Sequence, residues 1–146
     1  MQPAEAGKTF QRATLGRTGL RVGRLGVAAS YGVPAAAVEQ AFEHGVNYFY
    51  WGTFRRGGFG DAIRYLAPQR DHFVLVIQSY ARIAKLMGWS LERALRELRM
   101  DHADVLLLGL WNRPVPARIM GLFLAQPAAD YADGCGQRLR SHSFSL

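Results

Sequence analysis

Apolar positions along the chain come in short runs bounded by glycine, and these runs alternate with stretches of helical period. Leu25 to Ala29, Asn47 to Trp51, Phe73 to Tyr80 and Ala103 to Trp111 read as strands. Between them, Pro34 to His44, Phe59 to Leu66 and Ser90 to Met100 read as helices. Strands alternating with helices signal βαβ units and a parallel sheet. The almost unbroken apolar runs Val74-Leu75-Val76-Ile77 and Val105-Leu106-Leu107-Leu108 suit strands covered on both faces.

Local punctuation supports these boundaries. Pro34 fits a first helical position, where a missing N–H costs nothing, and Gly45 fits a left-handed stop after His44. Ser90 reads as the N-cap of a helix that gathers Leu91, Ala94, Leu95 and Leu98 on one face. Its other face carries the i,i+4 pairs Glu92 with Arg96 and Arg93 with Glu97. A separate short turn is expected from Ile83 to Met87, before Gly88. Upstream, two extended segments flank Gly16-Arg17-Thr18-Gly19 within Phe10 to Val22, the pattern of a hairpin. Downstream of Asn112, Pro114 and Pro116 open a weaker helical pattern through Ile119, Met120, Leu122 and Phe123, and Pro127 ends it. Residues 1–9 read as a flexible terminus, 10–125 as the folded unit, and 126–146, rich in small and polar residues without period, as a disordered tail.

Composition adds constraints. A chain of 146 residues with 49% hydrophobic content can bury one ordinary core. The single cysteine, Cys135, cannot form an internal disulfide and suits a reducing compartment. No basic segment leads into an apolar core at the amino terminus, and no apolar run approaches the roughly 20 residues that span a bilayer. A soluble cytoplasmic protein is the expectation. The net charge of +7 is partly concentrated in Lys8, Arg12, Arg17, Arg21 and Arg24. These residues alternate with strand formers and match no nucleic-acid-binding module, so they read as a solvated surface. His44, His72, His102 and His142 are too dispersed for a metal site.

Three groups of residues then acquire a shared meaning. Leu15-Gly16-Arg17-Thr18-Gly19-Leu20-Arg21-Val22 runs into Arg24-Leu25-Gly26-Val27-Ala28-Ala29; next comes Gly45-Val46-Asn47-Tyr48-Phe49-Tyr50-Trp51-Gly52-Thr53; last come Phe73 to Gln78 and Asp104 to Gly109. In order and spacing, from roughly Phe10 to Asn112, they resemble the amino-terminal half of an aldo-keto reductase. The resemblance implies half of a (β/α)₈ barrel: a hairpin, then four parallel strands with crossover helices. It also implies NADPH-dependent reduction of a small carbonyl substrate to an alcohol.

In that family a tyrosine hydroxyl donates the proton, a lysine oriented by an aspartate lowers its pKa, and a histidine positions the carbonyl. Phenol is too weak an acid unaided, and a nearby ammonium favours its ionised form. Carried onto this chain, the aspartate position is Tyr50, the tyrosine falls at Phe54 or Arg55, the lysine at Gln78 and the histidine at Gly109. The usual set is therefore substituted throughout, and the loops that hold most of the cofactor belong to the family's carboxyl-terminal half. The expectation is a chain inactive alone, with Ser30, Tyr31, Trp51, Trp111 and Asn112 lining a pocket at the strands' carboxyl ends. Two other readings stand beside it. One is a non-catalytic module that self-associates through its open sheet edges, leaving its inward side chains against water until it does so. The other is a basic anion or nucleic-acid binder; separately, Arg55-Arg56-Gly57-Gly58-Phe59-Gly60 at a helix start is a local alternative for holding a phosphate, and a flexible basic loop is the simpler reading of it. Asp101 and Asp104 precede the fourth strand, at a barrel's stability end.

Overall fold

The computed structural model describes residues 11–52 and 56–124. The expected flexible terminus at 1–9 and disordered tail at 126–146 lie outside the described residues, as do Phe54 and Arg55. A hairpin of β1 (Arg12–Thr14) and β2 (Arg21–Gly23) comes first. Its turn uses Gly16 at φ 52° and Gly19 at φ 75°, which only glycine adopts without strain. Then follow β3 (Val27–Ala28), α1 (Ala35–Glu43), β4 (Tyr48–Trp51), α2 (Phe59–Tyr65), β5 (Val74–Ser79), α3 (Ala84–Leu98), β6 (Val105–Leu108) and α4 (Ala117–Leu124). A 3₁₀ segment at Ala67–His72, not expected from the sequence, leads into β5. The sheet is parallel, in the order β3-β4-β5-β6.

Alternation along the strands divides the molecule into two layers. Phe49, Trp51, Leu75 and Ile77 face the helices and join Val38, Phe59, Ile63, Met87, Leu95 and Leu98 in the main core. The opposite face gathers Tyr48, Tyr50, Val74, Val76 and Val105 with Leu15, Leu20 and Val22 of the hairpin. Register keeps the inner set aligned, since Ala28 pairs with Tyr50, Tyr50 with Val76, and Val76 with Val105. Asn47, 4% exposed, ties the hairpin to β4: its Oδ1 accepts from Gly23 N at 2.8 Å and its Nδ2 donates to the Arg21 carbonyl at 2.8 Å. Both halves of this buried amide are satisfied, so it anchors the hairpin instead of serving the opposite rim.

Four sequence expectations change. β5 is buried on both faces, but β6 is only half covered and Leu107 is 45% exposed, because β6 is an edge strand with no neighbour beyond it among the described residues. Ser90 does not cap a helix: α3 starts at Ala84 and runs through Gly88, absorbing the separate turn expected at Ile83–Met87. A helical glycine costs about 1 kcal/mol, less than the burial of Met87, Leu91, Ala94, Leu95 and Leu98 returns. Arg93 and Glu97 do not pair with each other, since Glu97 holds Arg56 and the Arg93 guanidinium lies 5.5 Å over the Trp89 ring. Finally, the inner face does not simply meet water. Val76 is fully buried and Val74 nearly so, because the two inward tyrosines and the hairpin leucines pack over them.

Candidate functional site

The carboxyl ends of β4, β5 and β6 bring Tyr50, Gln78, Tyr80 and Gly109 together. Gly52 and Gly109 are small for a definite reason. A Cβ at Gly52 would sit 2.5 Å from the Tyr50 hydroxyl and 2.7 Å from Gln78 Cβ, and one at Gly109 would overlap the Gln78 amide. The two glycines thus leave room for Tyr50 and Gln78 to lie across the mouth. The buried Gln78 Oε1 has no hydrogen-bond partner.

Tyr50 is half-buried, and its pKa is pushed up from 10.0 to about 12. Burial is the main cause, followed by the neighbouring Tyr80, which repels a phenolate and hydrogen-bonds the neutral hydroxyl; Tyr48 adds to it. The groups acting on this phenol are therefore other phenols, and each makes it a weaker acid. Because the folded pKa lies above the ordinary value, the folded chain retains a proton that the unfolded chain loses. The stability from this group is complete below pH 10.0 and disappears as pH rises toward 12. Urea midpoints should accordingly fall more between pH 9 and pH 11.5 in the native chain than in Tyr50→Phe; equal declines would show that Tyr50 is not the group responsible.

Of the other expected pocket residues, Trp51 borders a cleft together with Gln78 and Tyr80, and Ser30, Tyr31, Trp111 and Asn112 do not line it. Trp51 is buried on the helix-facing side against Phe59, with the Arg56 guanidinium 4.4 Å over its ring. Ser30 is half-buried, while Tyr31 is 91% exposed with φ 76°. Trp111 packs on the main core beneath the Arg82 guanidinium, 4.6 Å from its ring, and Asn112 is exposed. This cleft, of about 320 Å³, opens from the mouth toward the helices and is bordered by Trp51, Arg56, Gln78, Tyr80, Trp89 and Arg93. Sequence reasoning named Trp51 and Gln78 but missed the contribution of the helix that follows β5. The available signal was Trp89 and Arg93, four residues apart on one helix face.

The arginine-glycine loop does not form an anion cradle in its described part. Gly57, at φ 49°, and Gly58 are glycines because a Cβ on either would lie 2.5 Å from the backbone of Gly32 or Ala35. The Gly58 amide donates to the Val33 carbonyl at 3.1 Å, and Arg56 is paired with Glu97. The loop is shaped for packing against the start of α1. Arg82, another cation near the mouth, donates to the Leu110 carbonyl and covers Trp111, and Arg93 of the cleft lies over Trp89. The described part of the arginine-glycine loop therefore does not fit the phosphates of a dinucleotide. Among the described residues there is also no cluster of three metal-ligating side chains, and no helix long and apolar enough to cross a membrane.

No protein-family profile and no curated protein sequence matches the chain. Solved structures do match. A Pseudomonas aeruginosa protein assigned to the aldo-keto reductases superposes with a TM-score of 0.54 at 25% identity, over 71% of this chain and 49% of that one. The chain has the aldo-keto reductase fold. An aldo-keto reductase complexed with NADPH superposes with a TM-score of 0.58 at 17% identity, covering 68% of this chain and 36% of its own. One from Bombyx mori in complex with NADP gives a TM-score of 0.54 at 14% identity, over 68% and 38%. The chain spans half or less of the length of these aldo-keto reductases, so this half barrel accounts for the hairpin, the parallel sheet and its strand order.

Proposed function

We propose that the chain is a non-reducing aldo-keto-reductase-like half barrel, which keeps the family scaffold but does not by itself carry hydride from NADPH to a carbonyl. The surroundings of Tyr50 carry this reading. The family reaction needs a phenol made more acidic by an ammonium, and the phenol at this mouth is shifted the other way, to about 12. Gln78 stands at the lysine-equivalent position and can only hydrogen-bond; Gly109, at the histidine-equivalent position, has no side chain to orient a carbonyl. NADPH supplies hydride in the family. Here Arg56 and Arg82 are already committed to Glu97 and to the Leu110 carbonyl, which supports weak or absent cofactor binding. The single Cys135 is consistent with a reducing cytoplasm.

The purified chain is expected to show no loss of NADPH absorbance above background with a panel of aldehydes and ketones, and no saturable change in NADPH fluorescence. Turnover that vanishes in Tyr50→Phe would establish a working phenol and overturn the proposal. A second reading, an interaction module, is favoured by the half-covered edge strand β6.

A further inference from the structure

The cleft between the mouth and α3 carries more chemistry than the scaffold uses. At about 320 Å³ it stands at the lower end of the volumes that hold small molecules, and its borders are mainly aromatic and apolar: Trp51 of β4, Tyr80 after β5, and Leu86 and Trp89 of α3. Leu86 and Trp89 are each about half exposed, so this apolar surface is offered to solvent. Both tryptophans carry an arginine. The Arg56 guanidinium lies 4.4 Å over the Trp51 ring and that of Arg93 lies 5.5 Å over the Trp89 ring. Stacking of this kind orients a guanidinium while leaving its N–H groups able to donate.

Elimination narrows what the cleft has left to offer. Ser79 and Ser90, which also border it, are engaged within the protein: Ser90 Oγ donates to Ser79 Oγ at 2.7 Å, and Ser79 Oγ accepts from the Ala81 amide at 3.2 Å. Glu97 is taken by Arg56. Three groups remain. Arg93 pairs with no carboxylate among the described residues, so the charged lining of Arg56, Arg93 and Glu97 has two cations against one anion. Trp51 is 3% exposed and its Nε1 has no hydrogen-bond partner among the described residues; Gln78 Oε1 has none either. A buried polar group without a partner is costly and uncommon, and here a donor and an acceptor of that kind belong to residues bordering one cleft. The excess cation and the indole N–H favour a carboxylate. The free acceptor favours an N–H or hydroxyl on the same molecule, and the aromatic borders favour a flat ring between them.

We propose that this cleft binds a planar aromatic carboxylate bearing a ring N–H or hydroxyl, with Arg93 facing the carboxylate and with Trp51 Nε1 and Gln78 Oε1 meeting the molecule's remaining acceptor and donor. Tyr50 is not among the borders of the cleft, and the proposal does not depend on the absence of reductase activity, because binding is read with no NADPH present. The chain has three tryptophans, so a heteronuclear NMR spectrum of its indole N–H groups has three signals, assignable through Trp51→Phe, Trp89→Phe and Trp111→Phe. Titrating the full chain with indole-3-carboxylate should move the Trp51 and Trp89 signals along one saturating curve, with a Kd of about 1 mM or below. Trp111, stacked under Arg82 outside the cleft, should stay in place. Indole-3-carboxamide, which keeps the shape without the charge, should bind about tenfold more weakly, and N-methylindole-3-carboxylate, which lacks the ring donor, at least about threefold more weakly. Arg93→Gln, a change at an exposed position, should weaken indole-3-carboxylate about tenfold and leave the thermal midpoint unchanged. No saturable movement of Trp51 and Trp89, equal movement of Trp111, or equal affinity for either control compound would each overturn the proposal. These titrations use the unmodified chain, so misfolding of a variant leaves the test intact.

Discussion

Replacing Phe49 by alanine is expected to remove about 3–5 kcal/mol of folding stability, the range for truncating a buried aromatic ring. Phe49 is fully buried at the centre of the helix-facing layer, with ring centroids 5.6 Å from Phe73, 6.1 Å from Phe59 and 6.3 Å from Phe42. Two of these contacts are edge-on or nearly so, the arrangement that adds about 0.5–1.5 kcal/mol per pair beyond area burial. The three partners come from α1, α2 and the approach to β5, so the cavity would open where three elements meet and none can move in alone. Small domains have about 5–15 kcal/mol in total, and the alanine variant should sit near the unfolding threshold at room temperature. Phe49→Leu, which keeps most of the volume, should lose about 1–2 kcal/mol. Urea denaturation of both variants is the measurement, and a loss below about 1 kcal/mol for alanine would contradict the packing described.

The second large effect is expected at the amino-terminal end of the strands. Asp104, with a side chain 3% exposed, accepts from Arg70 at 2.6 Å and from the Leu75 amide at 2.8 Å. Arg70 also donates to the carbonyls of Phe73 and His102, at 3.0 and 3.2 Å, and lies 5.0 Å over the Phe73 ring. One guanidinium thus fastens the 3₁₀ segment to the starts of β5 and β6. Truncating it takes the guanidinium away from a buried carboxylate, and losses of about 3–5 kcal/mol are typical when one partner of such a pair is removed. Arg70→Ala should fall in that range. The double variant Arg70→Met/Asp104→Leu should recover part of the loss, because it removes the buried charge together with its partner. If the double variant were no more stable than Arg70→Ala, the cost would lie in the lost carbonyl contacts and not in the carboxylate.

Much of this architecture was legible because the signals were local. Glycine-bounded apolar runs place β4 and β5 within a residue or two, and Gly45 at φ 91° ends the turn after α1 as its position suggests. The extent of α3 was not legible, because Gly88 and Ser90 are individually good breakers and their inclusion depends on burial supplied by other elements. Arg70, which pairs with Asp104, lies 34 residues away from it, and no local pattern connects the two. At the mouth, the sequence identifies Tyr50, Gln78 and Gly109 by position; that Gly109 and Gln78 occupy each other's space, and that Tyr80 joins Tyr50, follows only from the register of β4, β5 and β6. Strand alternation from Tyr50 turns Trp51 to the helices, where it borders the cleft that Gln78 and Tyr80 also line.

In the four-stranded sheet, spatial order follows chain order, β3-β4-β5-β6, and each parallel pairing joins strands adjacent in that series. Each βα unit can therefore dock on the one before it as soon as it leaves the ribosome, without waiting for a strand still to be synthesised. Loop closure at each step spans a single crossover, which keeps its entropy cost small. Synthesis and folding can advance in the same direction, and a pause after α3 would leave a three-stranded sheet with its next docking edge, β5, already formed.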